Sequence, residues 1–126
     1  MAHLEHFAVY AANSSALKDF YVDALGMTVA LESGGDPPGY FLADDRGLAL
    51  EIIGRPATEA AIDQRWVCHV AFWVDDVVAK RLELEHRGIT FETETAVDND
   101  TMKTAFFRDP EGNRCQLVWR SRRLSE

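Results

Sequence analysis

The chain has 126 residues and a formal net charge of −8, from 13 Lys and Arg against 21 Asp and Glu. That length fits one domain able to bury roughly two-thirds of its unfolded surface, so neither disulfides nor assembly are needed merely to fold. An apolar fraction of 47% with 27% charged residues excludes a disordered or fibrous chain. The acidic balance, without a basic stripe, argues against nucleic acid, whose phosphates require clustered Lys and Arg.

No apolar run reaches the roughly 18–20 residues of a membrane span, and the N-terminus lacks the pattern of a signal peptide. The expected compartment is therefore the cytoplasm, and Cys68 and Cys115 read as reduced, buried, inert thiols.

In chain order, residues 4–11 read as a β-strand, followed by the helix-capping pair Asn13 and Ser14. Leu17, Phe20, Tyr21, Ala24 and Leu25 then recur at helical spacing and meet Gly26, a helix-stop signal. Strands are predicted over 27–32, 40–44 and 48–53. The Gly34–Gly39 segment joins the first two as a hairpin connection, with a mobile lid as the alternative reading, and Asp44–Gly47 is the turn between the last two. Residues 55–65 form a linker with Pro56 and a helical turn through Thr58–Ile62. A fifth strand is predicted over 66–74, then the caps Asp75 and Asp76, a helix carrying Val78 and Leu82, and Gly88. His86 falls near that helix's end, where a cation suits the dipole. Strands over 89–94, 103–108 and 113–119 follow, the last two joined by Asp109–Gly112. Residues 120–126, with Arg120, Arg122 and Arg123, read as a solvated tail.

This order repeats. Phe41–Ile53 aligns with Phe106–Val118 at an offset of 65, and His6–Tyr10 with His69–Trp73 at an offset of 63. The expectation is an α+β fold: a single domain, residues 1–126, made of tandem βαβββ modules over 3–54 and 66–119.

Strand parity separates the faces of each module. Leu4, His6, Ala8 and Tyr10 share one face of the first strand, and Val67, His69, Ala71 and Trp73 share the equivalent one. Phe7 and Val9, like Trp66, Cys68, Val70, Phe72 and Val74, fall on the opposite face and should pack under a helix. In the fourth strands Leu48, Leu50 and Ile52, and likewise Cys115, Leu117 and Trp119, take the helix side, so Glu51 and Gln116 face the other way. Each module thus offers one histidine and one Glu or Gln on the face suited to line a pocket. A carboxylate amid Leu48–Ile53 is costly to bury unless its charge is compensated. A divalent ion would do so: two imidazoles, one carboxylate and one amide oxygen suit Zn, Ni, Fe, Mn or Co. Taken singly, each of these residues also has a plain structural reading, and it is their recurrence that favours a site. His3 has the parity opposite to His6 and should lie at the surface.

At His6–Tyr10, Asp19–Met27, His69–Asp75 and Phe107–Asn113 leading into Gln116, the chain resembles the vicinal oxygen chelate superfamily. That superfamily includes glyoxalase I, bleomycin-resistance proteins, extradiol dioxygenases, fosfomycin-resistance enzymes and methylmalonyl-CoA epimerase. The resemblance covers nearly all of residues 3–119 and implies paired βαβββ modules curled around a metal-centred cup. The implied metal positions are His6, Glu51, His69 and Gln116, with Tyr10 and Trp73 as candidate pocket walls. Glyoxalase I usually has a glutamate where this chain has Gln116, and glutamine can ligate but cannot take a proton. Glu51 is left as the ionisable acid or base. The epimerase branch does mix Glu and Gln, but its two-base chemistry needs a second base that is not identified here. Two histidines and one carboxylate also resemble the iron(II) facial triad of dioxygenases.

Three functions follow from the resemblance. One is a metal-dependent, glyoxalase-like lyase or isomerase whose small substrate chelates the ion through adjacent oxygens. The second is a metal-free drug-binding protein of the bleomycin-resistance kind, to which an acidic surface gives a preference for cations. The third is an iron-dependent ring-cleaving dioxygenase. Family members of this length are often homodimers, so the two half-sites meet either within one chain or across two copies.

Overall fold

The structure is a computed structural model that describes residues 5–57, 68–122 and 124. The readings for His3, Leu4, the helical turn through Thr58–Ile62, Trp66, Val67 and Arg123 lie outside the described residues. The chain divides into two compact units, Met1–Ile62 and Asp63–Glu126.

In the N-terminal unit, β1 (His6–Ala11) is followed by α1 (Ser14–Leu25), β2 (Thr28–Ser33), β3 (Gly39–Ala43) and β4 (Ala49–Gly54). The Asn13 side chain caps α1 by accepting from the Ala16 amide, and Gly26 closes the helix in the left-handed conformation. Leu17, Tyr21 and Ala24, spaced for one helix face, are buried against Val9 and Ala11 of β1, Tyr40 and Leu42 of β3, and Leu50 and Ile52 of β4. The sheet order is β1-β4-β3-β2, with β1 parallel to β4 and the other pairs antiparallel. Phe7, at the start of β1, remains 39% exposed although it shares the helix-side parity.

The C-terminal unit runs β5 (Val70–Trp73), α2 (Val77–His86), β6 (Val97–Asp98), β7 (Met102–Arg108) and β8 (Arg114–Arg120), in the equivalent order β5-β8-β7-β6. Asp76 caps α2 by accepting from the Ala79 amide. Two mixed sheets, each with one helix, make this an α+β fold of paired βαβββ units.

Three local expectations are corrected here. The buried face of α2 is Val77 and Leu84, while Val78 and Leu82 are more than half exposed. The face between Val77 and Leu84 is filled by Arg81, whose guanidinium lies 5.0 Å over the Phe91 ring, so an apolar count alone misplaced the stripe. The predicted strand 89–94 reduces to a single bridge from Phe91 to Phe107, and the edge pairing falls instead at Val97–Asp98. Glu92 and Thr95 bond to each other at 2.9 Å in the stretch between, which holds the chain off a regular ladder. Cys68 is exposed because the sheet begins only at Val70, whereas Cys115 is buried as expected.

The same turn is built twice. Asp44 Oδ1 accepts from the Arg46 and Leu48 amides, and Asp109 Oδ1 from the Glu111 and Asn113 amides. Gly47 and Gly112 complete the two turns at φ 90° and 89°, a conformation that a Cβ would strain. These turns fix the pairing of the third and fourth strands, and with it the direction of Glu51 and Gln116. The Gly34–Gly39 segment is a hairpin connection that packs on its own sheet: a Cβ at Gly54 would lie 2.7 Å from the Pro37 carbonyl oxygen.

Candidate functional site

Each unit carries a pair of candidate ligand side chains on the sheet face opposite its helix. In the N-terminal unit Leu50 and Ile52 point into the core, so alternation turns Glu51 outward, where it is 27% exposed. The β1–β4 pairing sets Ala8 beside Glu51, which leaves His6 diagonally adjacent on the same face. His6 Nε2 lies 3.5 Å from Glu51 Oε1. Its Nδ1 is 2.9 Å from Glu5 Oε1. An ionised carboxylate can only accept, so Nδ1 is the donor in the contact with Glu5, and Nε2 is the nitrogen that faces Glu51. A carboxylate on Nδ1 is the support commonly given to a histidine that ligates a metal through Nε2.

In the C-terminal unit Cys115 and Leu117 are buried and Gln116 faces away from them. Ala71 sits beside Gln116 just as Ala8 sits beside Glu51. The Gln116 side-chain amide donates to the Thr104 hydroxyl, which commits the NH2 group and leaves the Oε1 lone pairs available. His69 makes an edge contact with the Phe106 ring at 5.1 Å and 83°. His6 makes the equivalent contact with Phe41 at 5.4 Å and 80°. Phe41 pairs with Glu51 across the ladder, and Phe106 with Gln116.

Two ligand-type side chains therefore stand together in each unit, and among the described residues no group of three or more His, Cys, Asp or Glu gathers. Each pair fits half of a mixed nitrogen and oxygen donor set. Tyr10 shares the His6 face and is 48% exposed. Trp73 donates from its indole to Asp75 at 3.3 Å and lines, with Val74, Asp76, Ala79, Lys80 and Glu83, a recess of about 350 Å³ beside the start of α2.

The sequence reading did not single out Glu5, Thr104, Phe41 or Phe106. The two phenylalanines were within reach, since they occupy equivalent positions of the repeat and share strand parity with one another. Glu5 and Thr104 had no such signal, because one has the strand parity opposite to His6 and the other has Gly39 as its counterpart.

Paired βαβββ units, each showing a histidine beside a Glu or Gln on its open sheet face, define a glyoxalase-like class of protein. The chain belongs to the Glyoxalase/Bleomycin resistance protein/Dioxygenase superfamily, whose pattern matches residues 3–117. It is 31% identical over 119 residues to YaeR, an uncharacterized protein of Escherichia coli (strain K12), covering 89% of this chain and 92% of YaeR. It is 28% identical over 124 residues to biphenyl-2,3-diol 1,2-dioxygenase 3 of Rhodococcus globerulus, covering 90% of this chain and 61% of that enzyme's length. Among solved structures, TnmS3, an antibiotic binding protein from Streptomyces sp. CB03234, superposes with a TM-score of 0.73 at 22% identity, over 96% of this chain and 98% of that one. At that identity the likeness is one of fold.

No helix among the described residues is long and apolar enough to cross a membrane.

Proposed function

We propose that the protein is a divalent-metal-dependent enzyme of the glyoxalase-like lyase and isomerase kind. Its small substrate offers two adjacent oxygens, and His6, Glu51, His69 and Gln116 are the ligands of one ion. The observation that carries this reading is one arrangement occurring twice: a histidine set edge-on to a phenylalanine, beside a Glu or Gln paired with that same phenylalanine. The donors suit Zn, Ni, Mn, Co or Fe. When bound, such an ion supplies Lewis acidity to the substrate oxygens.

The chain's own residues divide the remaining work. Glu51 is the group that accepts and returns a substrate proton at its carboxylate oxygen, because Gln116 has no titratable atom. Glu5 steadies the His6 ring through Nδ1, and Thr104 turns the Gln116 carbonyl oxygen outward. Tyr10 and Trp73 serve as walls for the apolar part of the substrate. The reading includes a homodimer in the cytoplasm.

Elemental analysis of untagged protein, wild type against His69→Ala, tests it. About one divalent metal per set of four ligands, lost in the variant, is the expected result. No metal in either protein, even after reconstitution, would overturn the reading in favour of a metal-free small-molecule binder. Iron with oxygen-dependent turnover would instead select ring cleavage, the third of the functions above, which the similarity to the Rhodococcus globerulus dioxygenase supports.

A further inference from the structure

His69 differs from His6 in what orients it. Among the described residues His69 makes no hydrogen bond or ion pair, and the contact that fixes its ring plane is the edge of Phe106. Behind Phe106 stands Arg114, with its guanidinium carbon 4.0 Å from the ring centroid. Arg114 is nearly buried, at 10% side-chain exposure, and is gripped in two places by Glu92: Nε to Oε2 at 3.0 Å and NH2 to Oε1 at 2.9 Å. Glu92 is held in turn by the Thr95 hydroxyl at 2.9 Å, while its own amide donates to the Phe106 carbonyl at 2.8 Å. The two-point fork fixes the plane of the guanidinium, and a fixed plane is what stacks on an aromatic face. The repeat provides a comparison: the position equivalent to Arg114 is Ala49, and among the described residues no cation backs Phe41.

We propose that Arg114, locked by Glu92, is a positioning residue for His69 and acts through Phe106. The guanidinium clamps one face of Phe106, the ring cannot swing, and the His69 imidazole is preset without a polar partner of its own among the described residues. A lysine would keep the charge but could form neither the fork nor the flat stack, so the device depends on arginine specifically. The consequence for metal affinity rests on the metal-site reading above; the orientation of His69 does not.

The test uses metal-free full-length protein carrying Arg114→Lys, with Phe106→Leu as a second variant that keeps an apolar side chain in the sheet. The side-chain NMR signals of His69, assigned by their loss in His69→Ala, are expected to shift and broaden in both variants while those of His86 stay in place. Zinc affinity measured by competition with a chelating dye is expected to fall about tenfold, the usual consequence of loosening a ligand's support. A change in stability alone would lower the melting temperature without selectively moving the His69 signals. Unchanged His69 signals in the folded variants would overturn the proposal. Altered His69 signals in a protein whose wild type binds none of zinc, nickel, manganese, cobalt or iron would uphold the clamp and overturn the metal reading.

Discussion

In the N-terminal half-site His6 takes its orientation from carboxylates, with Glu5 on one nitrogen and Glu51 toward the other. In the C-terminal half-site His69 rests on Phe106 and Gln116 donates to Thr104. The backbone framework is the same in both: equivalent turns, equivalent ladder pairing and equivalent edge-on aromatic contacts. The side chains around it are not. Where the first unit has Ala49 and Gly39, the second has Arg114 and Thr104. The difference shows how a repeat can keep its candidate ligand positions while surrounding them with different support. The half that carries the titratable group supports its histidine with charge, and the other half, whose Glu92–Arg114 pair is balanced, is braced by packing and hydrogen bonds.

The strongest way to break the comparison is to remove the charge from the first half. Glu51→Gln makes the two half-sites chemically alike, since glutamine still offers an oxygen. Metal should be retained while turnover falls by about 10²–10⁴, the usual contribution of a positioned acid or base; metal content and steady-state rates on the same preparation check this. The turns come next. Asp109 is 4% exposed and also accepts from the Asn113 side chain, whereas its counterpart Asp44 is exposed. Asp109→Ala should cost about 2–3 kcal/mol and Asp44→Ala about 1 kcal/mol, because burial denies the orphaned amides a water partner. Urea unfolding of both variants measures the gap.

Thr104→Val takes away the support for Gln116 that the first unit lacks at Gly39. Metal affinity should fall about tenfold with the secondary structure unchanged, as read by competition titration and circular dichroism. The smallest effect concerns acid. The Arg114 hydrogen bond, which outweighs the opposing effect of burial, holds the Glu92 carboxyl below the usual glutamate range, with Thr95 and the charges of Arg114 and Arg108 adding to the shift. A carboxyl lowered in the folded state contributes stability above its ordinary value, about 4.3, and loses it as pH falls through the lowered one. Glu92→Gln should therefore be about 0.5–1 kcal/mol less stable than wild type at neutral pH, with the difference closing as pH drops below that window. Melting temperatures across the acid range test it.

Much of this was legible from residue order alone. The 65-residue repeat identified the paired modules, and strand parity placed Glu51 and Gln116 on the face away from Leu50, Ile52, Cys115 and Leu117. What failed were the places where a polar residue does a job that parity assigns to apolar ones. Arg81 covers part of the α2 face expected to be hydrophobic, and Glu92 engages Arg114 in the stretch expected to be a regular strand.

The sequence by itself determined the class of fold, the two turns and the candidate ligand positions, because these follow from local rules: period, parity, capping and a repeat. Only the tertiary structure decided what steadies each candidate ligand. Glu92 and Arg114 are separated by 22 residues, and Thr104 and Gln116 by 12. Their meeting depends on which strands pair and in what register. That information resides in the packing of whole elements and not in any short run of residues.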